Sequence, residues 1–232
     1  MAVTIEVQPA SRGGRAGAWF TATADSSSEA NLEATYDTIE RSLGERGMAL
    51  PDVVRTRLLA ATREARDAAS KVRFRRLSGP ARCATSSYID PTLFPVGHGV
   101  RVEGLALEDA GRTKIVVEFE PRQPPCRYVA TGDLVFLSGF TATVPTFPEQ
   151  LDNIRPRIAE TIEMASERLG KPVRPVSVTA YIHREIDPGP DEAMLERLGL
   201  AGVPLTIGRC EGYSSPGKFI EVEVDAVAGQ GG

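Results

Sequence analysis

The 232-residue chain is 41% hydrophobic and 25% charged, and its 27 Lys and Arg against 31 Asp and Glu leave a formal charge of −4. That composition is too apolar for a disordered chain. No apolar run approaches the ~20 residues of a membrane span, and no long basic run offers a nucleic-acid groove. The opening MAVTIEVQPASRGGR has no apolar signal-peptide core, so a cytoplasmic protein with neither membrane nor nucleic-acid partner is expected. Cys83, Cys126 and Cys210 are odd in number and far apart, which is no disulfide framework. With only His98 and His183 beside them, no metal-ligand spacing exists. Phosphate-loop, dinucleotide, nucleophile-elbow and zinc-protease motifs are all missing, so neither metal nor organic cofactor is expected.

In chain order, FTAT ending at Thr23 reads as a strand. Leu32, Tyr36, Ile39 and Leu43 then mark an amphipathic helix over Glu29–Gly47. Asp52–Ala61 reads as a strand, Arg63–Val72 as a weaker helix, and Arg82–Tyr88 and Val100–Leu107 as strands. A polar turn, EDAGR, precedes the strand KIVVEFE, and PRQPP is a loop. Gly132–Thr143 carries a strand-pair signal. Ile154, Ile158, Ile162, Ala165 and Leu169 share one helix face, ended by Gly170. Pro156 belongs near a first turn, so the regular helix is expected to start close to Asn153. Val176–Ile182, Leu205–Tyr213 and Phe219–Val227 read as strands, with a short helix over Glu192–Leu198.

The second half repeats the element order of the first. Arg63-Glu64 recurs as Arg184-Glu185 at an offset of 121, Thr23 as Ser138 at 115, and Val102-Glu103 as Ile220-Glu221 at 118. Such agreement points to tandem duplication, with units over 1–110 and 111–232. The order predicts an α+β fold, two mixed sheets each with helices on one face. A sheet covered on one face buries the other by assembling, so an oligomer is expected.

GDLVFLSGFTA (132–142), the helix after it, VSVTAYI and GKFIEVEVDAVA (217–228) resemble the Rid (YjgF) family of reactive-intermediate deaminases. The first half is similar through DVVRTRLLAA, GPARCATSSY and VRVEGLAL. The resemblance implies a chorismate-mutase-like fold in each unit, trimeric assembly, and ligand sites in clefts between units. It also implies a small-molecule substrate, an imine or enamine hydrolysed without cofactor. An arginine holds the substrate carboxylate in that family, and a last-strand glutamate orients water. Matched residue by residue, Arg82 is the carboxylate clamp and Glu103 or Glu221 the acid or base. The Arg82–Glu103 spacing is 21 residues, stretched by an insertion over 88–98. Fifteen residues before Glu221 stands Thr206, where arginine belongs. Ser138 keeps the family serine, and Thr23 (or Thr21) stands in its place in the first unit.

Further candidates come from the residues themselves. His98, in a Gly-rich insertion, suits proton transfer near neutrality, and Tyr88 and Trp19 suit a pocket wall. Each has a plain alternative: Arg82 as a salt-bridging arginine, Glu103 as a strand-edge carboxylate, Glu221 with Glu223 and Asp225 as a solvated acidic face. The function expected is hydrolysis, elimination or cyclisation of a small carboxylated or imine-bearing metabolite. The alternative is a non-catalytic metabolite-binding protein. One working cleft per chain is expected, lined by Arg82, Glu103 and His98.

Overall fold

Val3, Ile5 and Val7 alternate with polar residues, and this period of two forms a strand that the polar PASRGGR after it conceals in the sequence. In a computed structural model, which describes residues 3–95 and 99–229, this is β1 (Val3–Arg12), hairpinned to β2 (Arg15–Ala24). His98 lies outside the described residues. The first half continues with α1 (Glu29–Gly44), β3 (Val53–Ala60), α2 (Arg63–Arg76), β4 (Ala84–Ile89) and β5 (Val100–Leu107). A short α3 (Ala110–Thr113) and β6 (Ile115–Glu118) lead to β7 (Cys126–Thr131), β8 (Leu134–Leu137) and β9 (Phe140–Thr141). The chain ends through α4 (Phe147–Leu169), β10 (Val173–His183), α5 (Asp191–Leu198), β11 (Leu205–Cys210) and β12 (Ile220–Ala228).

The first sheet runs β1-β2-β5-β3-β4; the second contains β7-β8-β12-β10-β11 in matching order, with β6 beside β7 and β9 beside β12. In each, one parallel pair (β3–β4, β10–β11) is joined through a helix. The expected α+β architecture of two similar mixed-sheet units is therefore what the chain forms. α4 begins at Phe147, earlier than the proline suggested. Thr146 and Glu149 form a capping box there, and Pro148 fills the first turn. Pro156 sits inside the helix on its exposed side, where the freed carbonyl reaches water.

Each sheet buries one face under its own helices. Leu32, Tyr36, Ile39 and Leu43 of α1 pack on Phe20, Leu58 and Val102, while Ile154 and Ile158 of α4 pack on Val178, Val222 and Val224. The opposite faces meet each other within the chain: Val54, Ala84, Leu105 and Leu107 pack against Leu134 and Phe136. Uncovered faces were the ground for expecting an oligomer, and here they are in part covered inside one chain.

The β12 residues that turn away from their own core are Glu221, Glu223 and Asp225, and they enter this seam rather than solvent. Glu223 is 2% exposed and accepts from Arg55 Nη1 at 3.0 Å, Arg57 Nη2 at 2.8 Å, Tyr88 Oη at 3.0 Å and Ser86 Oγ. Arg55 also reaches Asp225 at 2.7 Å and the Val224 carbonyl at 3.2 Å. Arg57 lies 5.5 Å from the Trp19 ring centroid and 5.9 Å from that of Tyr181. Main-chain bonds stitch the seam as well: Gly139 N–H to the Thr85 carbonyl at 3.0 Å, and Ile89 N–H to the Gly212 carbonyl at 2.8 Å.

Removing one partner of a buried ion pair leaves the other charge uncompensated. Arg55→Ala is expected to cost roughly 3–5 kcal/mol in urea unfolding. Arg75→Ala, which frees an exposed contact to Glu29 and Glu33, should barely move the midpoint. The arginines hold the Glu223 carboxyl down at about 2 against the cost of its burial. Its stabilisation is therefore present above the ordinary glutamate range and lost as pH falls toward 2, a loss that Glu223→Gln should remove from the acid unfolding curve.

Candidate functional site

On α2, Arg66, Ser70 and Arg73 are spaced by four and three, so they share one helix face. That face looks across a cavity of about 530 Å³ toward Glu221 of β12, with β4, β9 and Arg157 of α4 completing the wall. The cavity therefore lies between the halves: α2 and β4 come from the first, Glu221, Arg157 and Lys218 from the second. Gly139 lets Glu221 occupy its place, because any side chain there would overlap the glutamate.

The cavity is cationic. Arg66, Lys71, Arg73, Arg157 and Lys218 line it against Asp67 and Glu221. Arg66 pairs with Asp67 and reaches Ser87 Oγ at 3.2 Å. Arg157 is held by the Thr141 carbonyl at 2.7 Å, and Lys218 by Ser214 Oγ at 2.5 Å. Arg73, 3% exposed, donates Nη1 to the Ser86 carbonyl at 2.7 Å. Its Nε has no partner, and neither do Ser70 Oγ and Thr141 Oγ1.

Burial, reinforced by the charge of Glu223, pushes the Glu221 carboxyl up to about 8, although Lys218, Arg73 and Arg66 pull the other way. Burial also draws the Lys218 ammonium below its usual range, against the attraction of Glu221. At neutral pH the cavity thus presents a protonated carboxyl beside several fixed cations, which can donate a proton to an anionic molecule.

The sequence candidates distribute unevenly. Glu221 lines the cavity. Arg82 does not: its guanidinium pairs with Glu118, and its Nη2 also donates to the carbonyls of Gln123 at 3.2 Å and Pro124 at 3.0 Å. It secures the loop whose Gln123, Pro124 and Pro125 form part of the cavity wall. Glu103 sits on β5 opposite Arg57 in register, with its carboxyl raised by burial against Arg57 and Arg101. Arg82 and Glu103 are therefore not brought together in this cavity, because Glu103 faces the Arg57–Trp19 side of the seam. Ser138 is fully buried and accepts from Thr85 N–H at 3.1 Å, a joint between the halves.

Tyr88 stacks on Tyr181 at 3.8 Å, beside Tyr213, and holds Glu223. Trp19 covers Arg57, and Thr23 pairs in register with Arg101 on β5. Thr206 is exposed on β11, and Arg209 donates to the Ile186 carbonyl at 2.7 Å. The cavity residues absent from the sequence candidates are Arg66, Ser70, Arg73, Arg157 and Lys218. Only the Arg66–Ser70–Arg73 spacing carried a signal, and a solvated helix face has the same spacing. All three cysteines are buried, and no cluster able to hold a metal ion occurs among the described residues. No helix there is long and apolar enough to cross a membrane.

No protein-family model and no curated protein matches the sequence. Among solved structures, a chorismatase aligns over 96% of this chain and 80% of its own, with 16% identity and a TM-score of 0.64. A member of the YjgF/YER057c/UK114 family from Mycobacterium tuberculosis covers 50% of this chain with all of its own, at 22% identity and a TM-score of 0.39. A YjgF-family protein from Neisseria meningitidis covers 51% with 97% of its own, at 17% identity and a TM-score of 0.35. The whole-chain alignment and the matching strand order of the two sheets agree: the chain has the fold of that chorismatase, two similar mixed-sheet units in tandem.

Proposed function

We propose that the chain is an enzyme that works without metal or organic cofactor, using Glu221 as a general acid on a small, multiply anionic carboxylate. The observation that carries the reading is one cavity lined by the buried Glu221, whose carboxyl is raised by that burial, together with Arg66, Arg73, Arg157 and Lys218. The cations hold carboxylates by charge-assisted hydrogen bonds, and burial strengthens them.

The chemistry that fits is hydrolysis of an enol ether or enamine. Glu221 gives its proton to the electron-rich carbon, leaving an oxocarbenium or iminium centre. Water adds to that centre and returns a proton to the Glu221 carboxylate. Collapse of the adduct releases the alcohol or amine and leaves a ketone. The cationic walls stabilise the anionic ends of the molecule throughout. Elimination from the same cation is the variant without water: the carboxylate takes a proton from the carbon beside the ether-bearing carbon of the alcohol half, a C=C bond forms, and the C–O bond breaks with its electron pair going to oxygen, so that the ketone leaves. The chorismatase likeness makes chorismate the first compound to test. Imines and enamines of amino acids, the substrates implied by the Rid resemblance, come second. A homotrimeric assembly and a cytoplasmic location belong to the same proposal.

Purified protein incubated with chorismate and with enamine-generating amino acids should release a keto acid from one of them. Glu221→Gln should lower kcat by about 10²–10⁴ while leaving binding of the compound intact. Binding without turnover by the parent protein would instead favour a metabolite-binding role. Because the acid must be protonated, kcat/KM should hold below pH 8 and fall about tenfold per unit above it. A rise through that range would assign Glu221 as a base. Arg73→Gln should weaken transition-state binding by roughly 1.5–3 kcal/mol, read from kcat/KM. The same change at Arg82 should act less on KM, since Arg82 supports the wall and does not face the cavity.

A further inference from the structure

Residues two apart on a strand share a face, about 6.5–7 Å apart. Glu221 and Glu223 stand so on β12, at 6% and 2% exposure, both turned into the seam between the halves. They are not equivalent. Glu223 accepts from Arg55, Arg57, Ser86 and Tyr88, every one from the first half of the chain. Glu221 faces Lys218 ahead of its own strand, Arg66 and Arg73 on α2 with Asp67 at the rim, and Arg157 on α4, without a comparable set of donors. Ser86 joins the two places. Its hydroxyl donates to Glu223, its carbonyl accepts from Arg73 Nη1, and it lines the cavity.

We infer that Glu223 is a positioning residue: a fixed anion that obliges its strand neighbour Glu221 to carry the proton. A fixed anion on the same buried strand face raises the cost of ionising its neighbour, and the carboxylate with more donors takes the charge first. The arginines of β3 decide which that is. The first half of the chain thus contributes to the site electrically as well as by its walls. Burial of Glu221 acts in the same direction, and the surrounding cations oppose it. The inference rests on Glu221 as the proton donor and adds what keeps the proton there.

The test needs no substrate. In full-length protein carrying ¹³C-labelled glutamate, the Glu221 carboxyl signal is assigned by its loss in Glu221→Gln and followed against pH. The parent is expected to titrate near pH 8. In Glu223→Gln the Glu221 midpoint should fall by at least about one unit. Should that variant not fold by circular dichroism, Glu223→Gln with Arg57→Gln removes one charge of each sign and should show a smaller fall in the same direction. An unchanged Glu221 midpoint in either folded variant overturns the inference, as does a parent midpoint in the ordinary carboxylate range. Ser86→Ala leaves both the charge of Glu223 and the main-chain carbonyl that holds Arg73 in place, so it should spare the titration. A parent midpoint near 8 in a protein without turnover would sink the catalytic reading and leave this one standing.

Discussion

Glu223 is held by four side chains from the other half of the chain, and that buried joint is what the rest of the structure depends on. A charge taken out of water needs its partners in place. Once Arg55, Arg57, Ser86 and Tyr88 are placed around it, the relative position of the two sheets is fixed. That position carries α2 and β4 across from Glu221 and creates the cavity. Apolar contacts around Phe136 supply area to the seam, and the ion pairs supply register.

Duplication here has produced division of labour rather than two copies of one site. The second half provides Glu221, Arg157 and Lys218; the first provides Arg66, Ser70 and Arg73 on a helix, together with the arginines that pin Glu223. The first half's own last-strand glutamate, Glu103, faces Arg57 instead of this cavity. Arg82, the position where the Rid resemblance implies a carboxylate clamp, is committed to Glu118. Under the proposed reading, anion holding falls to the cations that line the cavity, Arg66 and Arg73 of α2 among them.

Much of this was legible beforehand. Periodicity located most elements, and the recurring order of the two halves disclosed the duplication, because both follow from local pattern. Glu221 and Ser138 were found through the LSG and FIEVE strings. What pattern leaves open is which polar residues become buried when two sheets meet. Arg55 and Arg57 alternate with apolar neighbours as on any half-exposed strand, and Glu223 reads as part of a solvated acidic stripe. Only the packing of β3 against β12 turns both into core. Arg73 was hidden in the same way, in a helix rich in arginine. Arg82 and Glu103 do not meet in this cavity because Arg82 turns to Glu118 and Glu103 lies against Arg57, contacts that no local pattern discloses.

The most direct measurement is a crystal structure of Glu221→Gln, which should bind without turning over, soaked with chorismate or succinate. The account predicts density between α2 and β12, with a carboxylate among Arg66, Arg73, Arg157 and Lys218, and with the residue-221 side chain against the carbon to be protonated. A ligand seated instead against Arg57 and Trp19, or on Arg82 after release of Glu118, would contradict it.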